Sequence, residues 1–517
     1  MIIGNIPSTV EQWGVYELKF QGKSDGNPFV DYQIKGEFRY KEIVTEVNGF
    51  YDGDGTYVIR FMPTFIGEHR FEIKGNFADE VFMGTFNVTK AKSANNHGPV
   101  RVRGHHFEYE DGTSYYPIGT TAYVWVHQSD KLIEKTLEEL AKGYFNKIRF
   151  CIHPKHYLYN LHEPVTYPYI GTPTKDTYTR DSFNGGVVIG ENNDWDFKQF
   201  NPKHFRRIEN AIAEVGKLGI EADLICMHPY DRWGFTEMSS EEDDLYWQYI
   251  IARFAAYRNV WWSLANEYDL LLKKTVADWE RYAGMLLDYD PYNHLRSIHN
   301  CHEMYDHHRP WITHCSMQRQ DVYRHVEYTD EFKMRFKKPI VFDEIGYEGN
   351  IDQGWGNISG KELIRRSWET TMRGGYPTHG ETYDRTDSIL WWSHGGPLHG
   401  ESQERLKFLG EVLKETPGIG LKRIEGWWDE VLSTVDSPFP SGYFIYYYGF
   451  NRPCRRHFNL DENKSYEVEV IDTWEMIIEK VGIFSGKFVI DLPGKEYMAI
   501  RLKEVTTLKN KTEEFLK

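Results

Sequence analysis

The chain opens with short segments in which apolar and polar residues alternate, such as VYELKF at residues 15–20 and YVIRF at residues 57–61. Turn residues separate these segments, and the clearest run of them is DGDG at residues 52–55. Alternation with a period of two, interrupted by such turns, predicts an N-terminal β-sandwich of the immunoglobulin or fibronectin kind over residues 1–93.

The pattern changes near residue 100, where apolar runs begin to alternate with amphipathic helical segments. Two of these helices are expected to begin near Asn201 and Ser240. The alternation predicts a central (β/α)8 TIM barrel over residues 100–416, and an open doubly wound sheet is the alternative. No GxGxxG or Walker sequence follows any of the runs, which disfavours that alternative. The eight predicted strands are residues 116–125, 147–153, 221–228, 260–266, 295–300, 311–317, 339–344 and 376–382.

Alternation with a period of two returns after the barrel and predicts a C-terminal β-sandwich over residues 420–505. Its predicted strands are residues 443–450, 466–472, 487–490 and 497–502. The chain of 517 residues is therefore expected to form three domains, because it is too long for one hydrophobic core.

A long insertion is predicted after the second barrel strand, from Pro154 to about Asp196. Loops of this length inside a compact domain often cover a site, and decoration of the barrel rim is the alternative. The insertion carries the aromatic residues Tyr157, Tyr159, Tyr167, Tyr169 and Trp195.

Composition narrows the classes of partner. The formal net charge is −16, so nucleic acid and anionic membranes would be repelled. Aromatic residues make up 16% of the chain. They are expected to fill bulky cores and, in part, to form stacking platforms for sugar rings.

Cysteine usage and the N-terminus bear on localisation. The five cysteines are odd in number, widely spaced and without a CxxC pair. They predict buried free thiols rather than disulfides or a zinc site. The first residues lack a basic region followed by an apolar core, and no apolar run reaches membrane-spanning length, so a cytoplasmic protein is expected.

Two glutamates end the apolar runs that predict barrel strands four and seven. Glu267 follows WWSLAN, and Glu344 follows PIVFD. Active sites of barrels lie at the carboxyl ends of the strands, and the ends of strands four and seven face each other across the ring. Two facing carboxyl groups are the minimum equipment for breaking a glycosidic bond. A salt bridge at the rim is the alternative for either glutamate alone.

The Asn266-Glu267 pair, together with Glu344, resembles the large clan of retaining barrel glycosidases that contains cellulases, β-mannanases and β-galactosidases. The resemblance implies that Glu267 is the acid/base and Glu344 the nucleophile. It also implies that Asn266 binds the sugar 2-hydroxyl, and that Arg149 orients the strand-seven carboxylate and keeps it ionised. A barrel-floor ion pair is the alternative for Arg149. The clan's usual substrates are β-D-pyranosides or α-L-furanosides.

Four further segments resemble those of bacterial apiosidase-like barrels that carry sandwiches at both ends. These segments are FYDG at residues 50–53, THGET at 378–382, WWSHGG at 391–396 and LPGKEYMA at 492–499. The resemblance spans almost the whole chain, so it implies both the three-domain fold and a glycoside hydrolase activity.

Other polar residues at predicted strand ends are candidates for substrate binding. His228, His299 and Gln318 follow strands three, five and six, where neutral donors would bind sugar hydroxyls, or they are packed polar residues. Glu381 ends strand eight and is expected either to bind substrate or to pair with Arg385.

At two places in the sequence, only one of two adjacent residues is expected to face the site. Trp391 is the candidate platform for a sugar ring, and Trp392 is expected to pack, because neighbouring side chains diverge. Asp343 precedes Glu344, and strand alternation is expected to turn only one of the two inward.

Three other functions are weighed against a hydrolase with two glutamates. A metal-dependent barrel hydrolase would use a histidine-rich segment, but no HxH pair ends strand one and no HExxH occurs. A non-catalytic carbohydrate-binding barrel is disfavoured because both glutamates are present. A structural protein would use the sandwiches as docking modules. The histidines of the segment are His299, His302, His307, His308 and His314.

The sequence thus predicts a retaining O-glycosyl hydrolase with a carbohydrate substrate. It predicts no organic cofactor, no catalytic metal, and neither a nucleic acid nor a membrane as partner. The sandwiches are expected to buttress the barrel or to support a homo-oligomer.

Overall fold

The computed structural model describes residues 2–173, 193–318, 326–425 and 430–505. At its centre, eight parallel strands pair in chain order, and the eighth pairs with the first. A parallel bridge between His299 and Ser316 joins the fifth strand segment to the sixth and closes the ring. The predicted barrel is therefore confirmed. Its strands are shorter than the apolar runs from which they were predicted. The strands are β1 Gly119–Thr121, β2 Lys147–Cys151, β3 Glu221–Met227, β4 Val260–Ala265, β5 Arg296–Ser297, β6 Cys315–Gln318, β7 Ile340–Glu344 and β8 Tyr376–His379.

Helices follow every barrel strand except β5 in the described residues. They are α1 Asp130–Leu140, α2 Pro202–Lys217, α3 Ser240–Phe254, α4 Val276–Tyr289, α5 Thr329–Phe336, α6 Gly360–Met372 and α7 Ser402–Lys414. Helices α2 and α3 begin where the sequence predicts, because Asn201 caps the first and Ser239 forms a capping box with Glu242 in the second. After β5, the Asp269 carboxylate binds the backbone N–H groups of residues 301–303 at 2.6–2.9 Å, and turns replace the expected helix.

The N-terminal region contains two sheets that face each other. Their side chains interleave, and Phe38 of one sheet stacks on Phe61 of the other with ring centroids 4.2 Å apart. The sheets are Ile2–Ile3, Tyr16–Gln21, Thr56–Phe61 and Phe50–Tyr51, and Thr9–Glu11, Phe82–Thr89, Gly67–Gly75, Ile34–Tyr40 and Ile43–Asn48.

The FYDG segment that begins at Phe50 attaches this region to the barrel. Phe50 lies 4.2 Å from the guanidinium of Arg253 in α3, and Asp52 accepts a hydrogen bond from Arg253 at 2.9 Å. Across the same interface, Arg60 binds Glu209 of α2 at 2.7 Å. Because these charges are buried, breaking one pair would leave an uncompensated charge between the two regions.

The C-terminal region packs on the helices that follow β7 and β8. The ring of Tyr447 stacks on Trp368 of α6 with centroids 5.6 Å apart, and Arg405 of α7 lies 3.8 Å from the ring of Trp474. Its six-stranded sheet consists of Leu421–Arg423, Val431–Val435, Tyr443–Tyr447, Met498–Val505, Ser465–Asp472 and Ile477–Phe484; Arg455–Asn459 pairs with Lys487–Asp491.

A small sheet fills the end of the barrel where the strands begin. Phe107 from this sheet packs on Trp261 and Tyr376, near the starts of β4 and β8. The opposite end, where the carboxyl ends of the strands meet, is called the mouth below. The small sheet consists of Val100–Arg103, His106–Tyr109 and Ser114–Tyr115.

Two findings bear on the cellular expectations. No helix among the described residues is long and apolar enough to cross a membrane. All five cysteines are free; four are buried and Cys454 is exposed.

Candidate active site

Glu267 directly follows β4 and has a left-handed backbone conformation with φ of 50°. The N–H of Asn266 donates to Met227 in β3 at 2.9 Å, and the N–H of Tyr268 donates to the His299 carbonyl at 2.9 Å. These bonds hold Glu267 between the neighbouring strands. The conformation costs a non-glycine residue about 1–3 kcal/mol, and such strain concentrates at functional sites.

The carboxyl group of Glu267 is buried among polar side chains. The hydroxyl of Tyr230 and the amide of Asn266 both donate to its Oε2, the latter at 3.1 Å. Burial and the neighbouring carboxyl group raise the pKa of the Cys301 thiol, which also bonds to Glu267. Burial raises the pKa of Glu267, and the charge of Glu344 raises it further. A carboxyl group with a raised pKa is suited to hold and donate a proton.

Glu344, at the end of β7, has the opposite environment. The hydroxyl of Tyr123 donates to Oε1, and the same oxygen lies 3.5 Å from Nε2 of His299 and 3.9 Å from Nη1 of Arg149. Burial alone would raise the pKa of Glu344, but these three neighbours outweigh burial and lower it below its ordinary value of 4.5. The environment therefore favours an ionised carboxylate.

Asn266 and Tyr123 connect the two carboxyl groups. The Tyr123 hydroxyl, which donates to Glu344, lies 3.3 Å from Oδ1 of Asn266. Nη1 of Arg149 donates to the same Oδ1 at 2.7 Å, so the amide nitrogen of Asn266 is turned toward Glu267. Glu267 and Glu344 thus belong to one hydrogen-bond network.

Asp343 and Glu344 both contact residues of the barrel interior, which differs from the expectation that only one would. The register between β6 and β7 skips Asp343 just before Gln318, and such a bulge turns consecutive side chains to one side. Asp343 accepts hydrogen bonds from Lys147 at 2.7 Å and from Thr378 at 3.1 Å. It belongs to the charged floor of the barrel below the site.

The three polar candidates at strand ends have different places. His299 joins Glu344 to Gln318, because its Nε2 also lies 3.1 Å from Oε1 of Gln318. His228 instead bonds to the carbonyl of His153 at 3.2 Å, and burial lowers its pKa to about 3. The structure brings His299 and Gln318 to the carboxyl pair and places His228 behind it.

The two adjacent tryptophans are both buried, and Trp392, rather than the expected Trp391, lies beside the tyrosines of the site. Trp391 is 1% exposed, packs in the core and donates its indole N–H to Thr120 at 2.8 Å. Trp392 faces the mouth, where its ring centroid lies 5.3 Å from that of Tyr123 and 5.8 Å from that of Tyr157. Both residues start a short helix, in which successive side chains point in directions ~100° apart.

Glu381 lies outside the carboxyl network. Its oxygens accept the backbone N–H groups of His399 and Gly400, each at 2.7 Å, rather than the side chain of Arg385. Burial raises the pKa of Glu381 to about 7. These contacts tie β8 to the chain that leads into α7.

The insertion after β2 reaches the mouth with its first residues. The ring of Tyr157 lies 4.9 Å from that of Tyr230, and Trp195 donates to the carbonyl of Trp233 at 3.0 Å. Strands Tyr169–Thr172 and Asp194–Phe200 form an antiparallel ribbon that packs on Phe235, in the loop after β3. Residues 174–192 of the predicted insertion lie outside the described residues.

Three residues of the site were not predicted from the sequence: Tyr123, Tyr230 and Lys155. Each lies within four residues of the end of a barrel strand, so the positional argument that selected the glutamates could have found them. The chain contains 35 tyrosines, however, and the ends of the apolar runs do not locate the strand ends closely enough to single out two.

The histidine-rich segment does not assemble into one cluster. His307 packs against Phe336 and His314 against Trp261, while His299 joins the carboxyl pair. Across the four described ranges, no group of three or more His, Cys, Asp or Glu side chains is arranged to hold a metal ion.

A parallel eight-stranded barrel that holds two carboxyl groups in one hydrogen-bond network at its mouth, the buried Glu267 and the half-buried Glu344, is typical of barrel glycoside hydrolases. The model of the apiosidase-like catalytic domain matches residues 102–433, so the chain belongs to the apiosidase-like family and is a glycoside hydrolase. Residues 9–76 match a domain of unknown function, DUF5060, and residues 428–503 match another, DUF5605. A search of curated proteins gave no match.

Solved structures are similar over most of the chain. A provisionally assigned glycoside hydrolase from Bacteroides vulgatus is 36% identical; the match covers 96% of this chain and 100% of that chain, with a TM-score of 0.88. A second structure, named as a glycoside hydrolase, is 14% identical over 80% of this chain and 99% of that chain, with a TM-score of 0.57. The second likeness shows the fold alone.

Proposed function

We propose that this enzyme is a retaining O-glycosyl hydrolase that cleaves glycosidic bonds of oligosaccharides or polysaccharides by double displacement. Glu344 is the nucleophile, and Glu267 is the acid and then the base. The observation that carries the proposal is the contrast within one network: the pKa of Glu267 is raised and that of Glu344 is lowered. Neighbouring carboxyl groups whose pKa values are pushed apart divide into a proton donor and an ionised partner.

The contacts of Glu344 support its role in attack. Tyr123, His299 and Arg149 all meet Oε1. Oε2 has no protein partner within the part of the chain that the structure describes. One oxygen is thus held while the other is the atom that would meet the anomeric carbon.

The first displacement would form a covalent glycosyl-enzyme ester. Oε2 of Glu344 attacks the anomeric carbon as the bond from that carbon to the leaving oxygen breaks. Glu267 transfers its proton to the leaving oxygen, which departs as an alcohol. Arg149 and Tyr123 bind the carboxylate before attack and orient it.

The second displacement would return the enzyme to its first state. Glu267, now ionised, removes a proton from water, and the water oxygen attacks the anomeric carbon. The ester bond to Glu344 breaks, and its carboxylate is restored. Two inversions at one carbon leave the product with the configuration of the substrate.

The surroundings of the pair support a neutral sugar as substrate. Tyr157 and Tyr230 are half-buried beside Glu267 and offer apolar ring faces against which sugar C–H groups pack, while the buried Trp392 packs against Tyr157. His299 and Gln318 supply polar groups for hydroxyls. The net charge of −16 disfavours a polyanionic substrate.

The test is hydrolysis of a panel of nitrophenyl glycosides by wild type, Glu267→Ala, Glu344→Ala and the control Glu381→Gln. We expect wild type to cleave at least one glycoside, Glu344→Ala to lose that activity, Glu267→Ala to cleave the same glycoside more slowly, and the control to keep wild-type activity. Full activity in either Ala variant would contradict the assignment. A wild type that binds oligosaccharides without cleaving any would favour the non-catalytic carbohydrate-binding barrel.

A further inference from the structure

One buried lysine lies between the two halves of the candidate site. Lys155 follows β2 and is 3% exposed. Its Nζ lies 3.6 Å from the ring centroid of Tyr123, 4.2 Å from that of Tyr230 and 4.7 Å from that of Trp392. Aromatic faces attract an ammonium group, and the attraction is strongest where water is excluded.

The two tyrosine rings are significant because of what their hydroxyls bind. Tyr123 donates to Glu344, and Tyr230 donates to Glu267. The tyrosines come from different strand ends, after β1 and after β3. Since Lys155 contacts both rings, any change at this lysine acts on both carboxyl groups at once.

We propose that Lys155 is a positioning residue of the reaction: its ammonium group holds Tyr123 and Tyr230 against the glutamates, and its charge sets their proton balance. The inference rests on the proposed function, because it assigns Lys155 a role in the same two-glutamate reaction.

The titratable groups that face Lys155 determine which charges surround it near pH 7. Burial raises the pKa of Cys151 to about 12 and lowers that of His228 to about 3, so both are neutral near pH 7. Burial lowers the pKa of Lys155 itself to about 8, opposed near pH 7 by the carboxylate of Glu344, which leaves the lysine charged. The facing groups are Tyr123, Arg149, Cys151, Tyr157, His228, Tyr230, Glu267 and Glu344.

Removing the positive charge would disfavour the ionised form of both carboxyl groups, so the pKa of Glu267 and the pKa of Glu344 would rise together. The acidic limb of a pH–rate profile reports ionisation of the nucleophile, and the alkaline limb reports loss of the donor's proton. Both limbs would therefore move to higher pH. A residue that only packs would lower the rate without moving either limb.

The experiment measures kcat/KM against pH for wild type, Lys155→Met, Lys155→Arg and Lys333→Met. Lys333 is the matched control, since it is 8% exposed and lies on α5. We expect Lys155→Met to lower kcat/KM about tenfold and to shift both limbs upward by about half a pH unit. Lys155→Arg should restore the wild-type limbs, and Lys333→Met should match wild type.

A folded Lys155→Met variant with wild-type limbs would overturn the inference, whatever its rate. If that variant does not fold, Lys155→Gln gives the same measurement with a polar, uncharged side chain. Full activity in Glu344→Ala would instead contradict the proposed function. An inactive Glu344→Ala together with unmoved limbs in Lys155→Met would contradict only the role of Lys155.

Discussion

Two pairs of glutamates lie at or beyond the carboxyl ends of the barrel strands, and the second pair differs from the first in accepting backbone N–H groups. In the first pair, Glu267 and Glu344 are bound by side chains: phenols, an amide, an imidazole and a guanidinium. In the second pair, Glu381 accepts two backbone N–H groups at 2.7 Å, and Glu348 accepts those of residues 401 and 402 at 2.9 and 3.0 Å. The hydroxyls of Ser402 and Tyr383 also donate to Glu348.

The kind of hydrogen-bond partner distinguishes the pair with a structural role from the pair that is proposed to react. Backbone donors at the start of α7 bind both oxygens of Glu348 and both oxygens of Glu381, so these carboxyl groups fasten loops together. Side-chain donors bind only Oε1 of Glu344 among the described residues, and Oε2 is the oxygen that the proposed mechanism uses for attack. Burial alone does not identify the first pair, because Glu267, like Glu348 and Glu381, is at most 5% exposed, whereas Glu344 is 15% exposed.

The largest expected effect is the loss of the nucleophile. Glu344→Ala should lower kcat by on the order of 10⁴-fold, or about 5.5 kcal/mol, because no other group can form the ester. Steady-state kinetics on a cleaved glycoside measures this effect. Glu348→Gln serves as the control from the second pair. An equal loss of kcat in this variant, if it is folded, would contradict the view that only the first pair takes part in the reaction.

The next effect is the loss of the proton donor. Glu267→Gln should lower kcat/KM, which reports the first displacement, by roughly 10²–10⁴-fold on alkyl glycosides. The loss should be smaller on nitrophenyl glycosides, because a nitrophenolate leaves without a proton. Comparing the two leaving groups checks this prediction, and identical losses would assign the donor role elsewhere.

A smaller effect is expected for Tyr123→Phe, which removes the hydroxyl that donates to Glu344. That hydroxyl lowers the pKa of Glu344, so the pKa should rise and the acidic limb of kcat/KM should move to higher pH. A hydrogen bond to a charged group contributes about 1.5–3 kcal/mol, so we expect a loss of about tenfold or more. An unmoved acidic limb would mean that Tyr123 does not act on the nucleophile.

The smallest catalytic effect is expected for Glu381→Gln, which should keep wild-type kcat but change the pH dependence of stability. The pKa of Glu381 is raised by burial from 4.5 to about 7 in the folded protein. Protonated Glu381 therefore adds its full share to the free energy of unfolding below about pH 4.5. This share, ~3 kcal/mol, is lost as the pH rises through 7. Denaturant unfolding at several pH values should show a flatter slope in the variant; an unchanged slope would contradict the raised pKa.

The sequence predicts the parts of this molecule that repeat a pattern. Eight apolar runs predict the barrel, and the rule that sites lie at strand ends selects Glu267 and Glu344. The sequence does not predict contacts between residues from different strand ends, such as those of Lys155 with Tyr123 and Tyr230. Local geometry also decides some choices, since a bulge brings Asp343 inward beside Glu344.

Two further differences have local causes. Trp392 rather than Trp391 faces the mouth, because the direction of the short helix that they begin decides which ring turns outward. After β5 the chain forms turns in place of the expected helix, and the carboxylate of Asp269, from the preceding loop, holds these turns through the backbone N–H groups of residues 301–303.

The most direct test of the two-glutamate account is the configuration of the product that azide forms with each Ala variant. In Glu344→Ala, azide would replace the nucleophile, so the account predicts a glycosyl azide of configuration opposite to that of the substrate. In Glu267→Ala, azide would intercept the ester on Glu344, so the account predicts a glycosyl azide of retained configuration. The same configuration from both variants, or rescue of neither by azide on a glycoside that wild type cleaves, would contradict the assignment of Glu344 as nucleophile and Glu267 as acid/base.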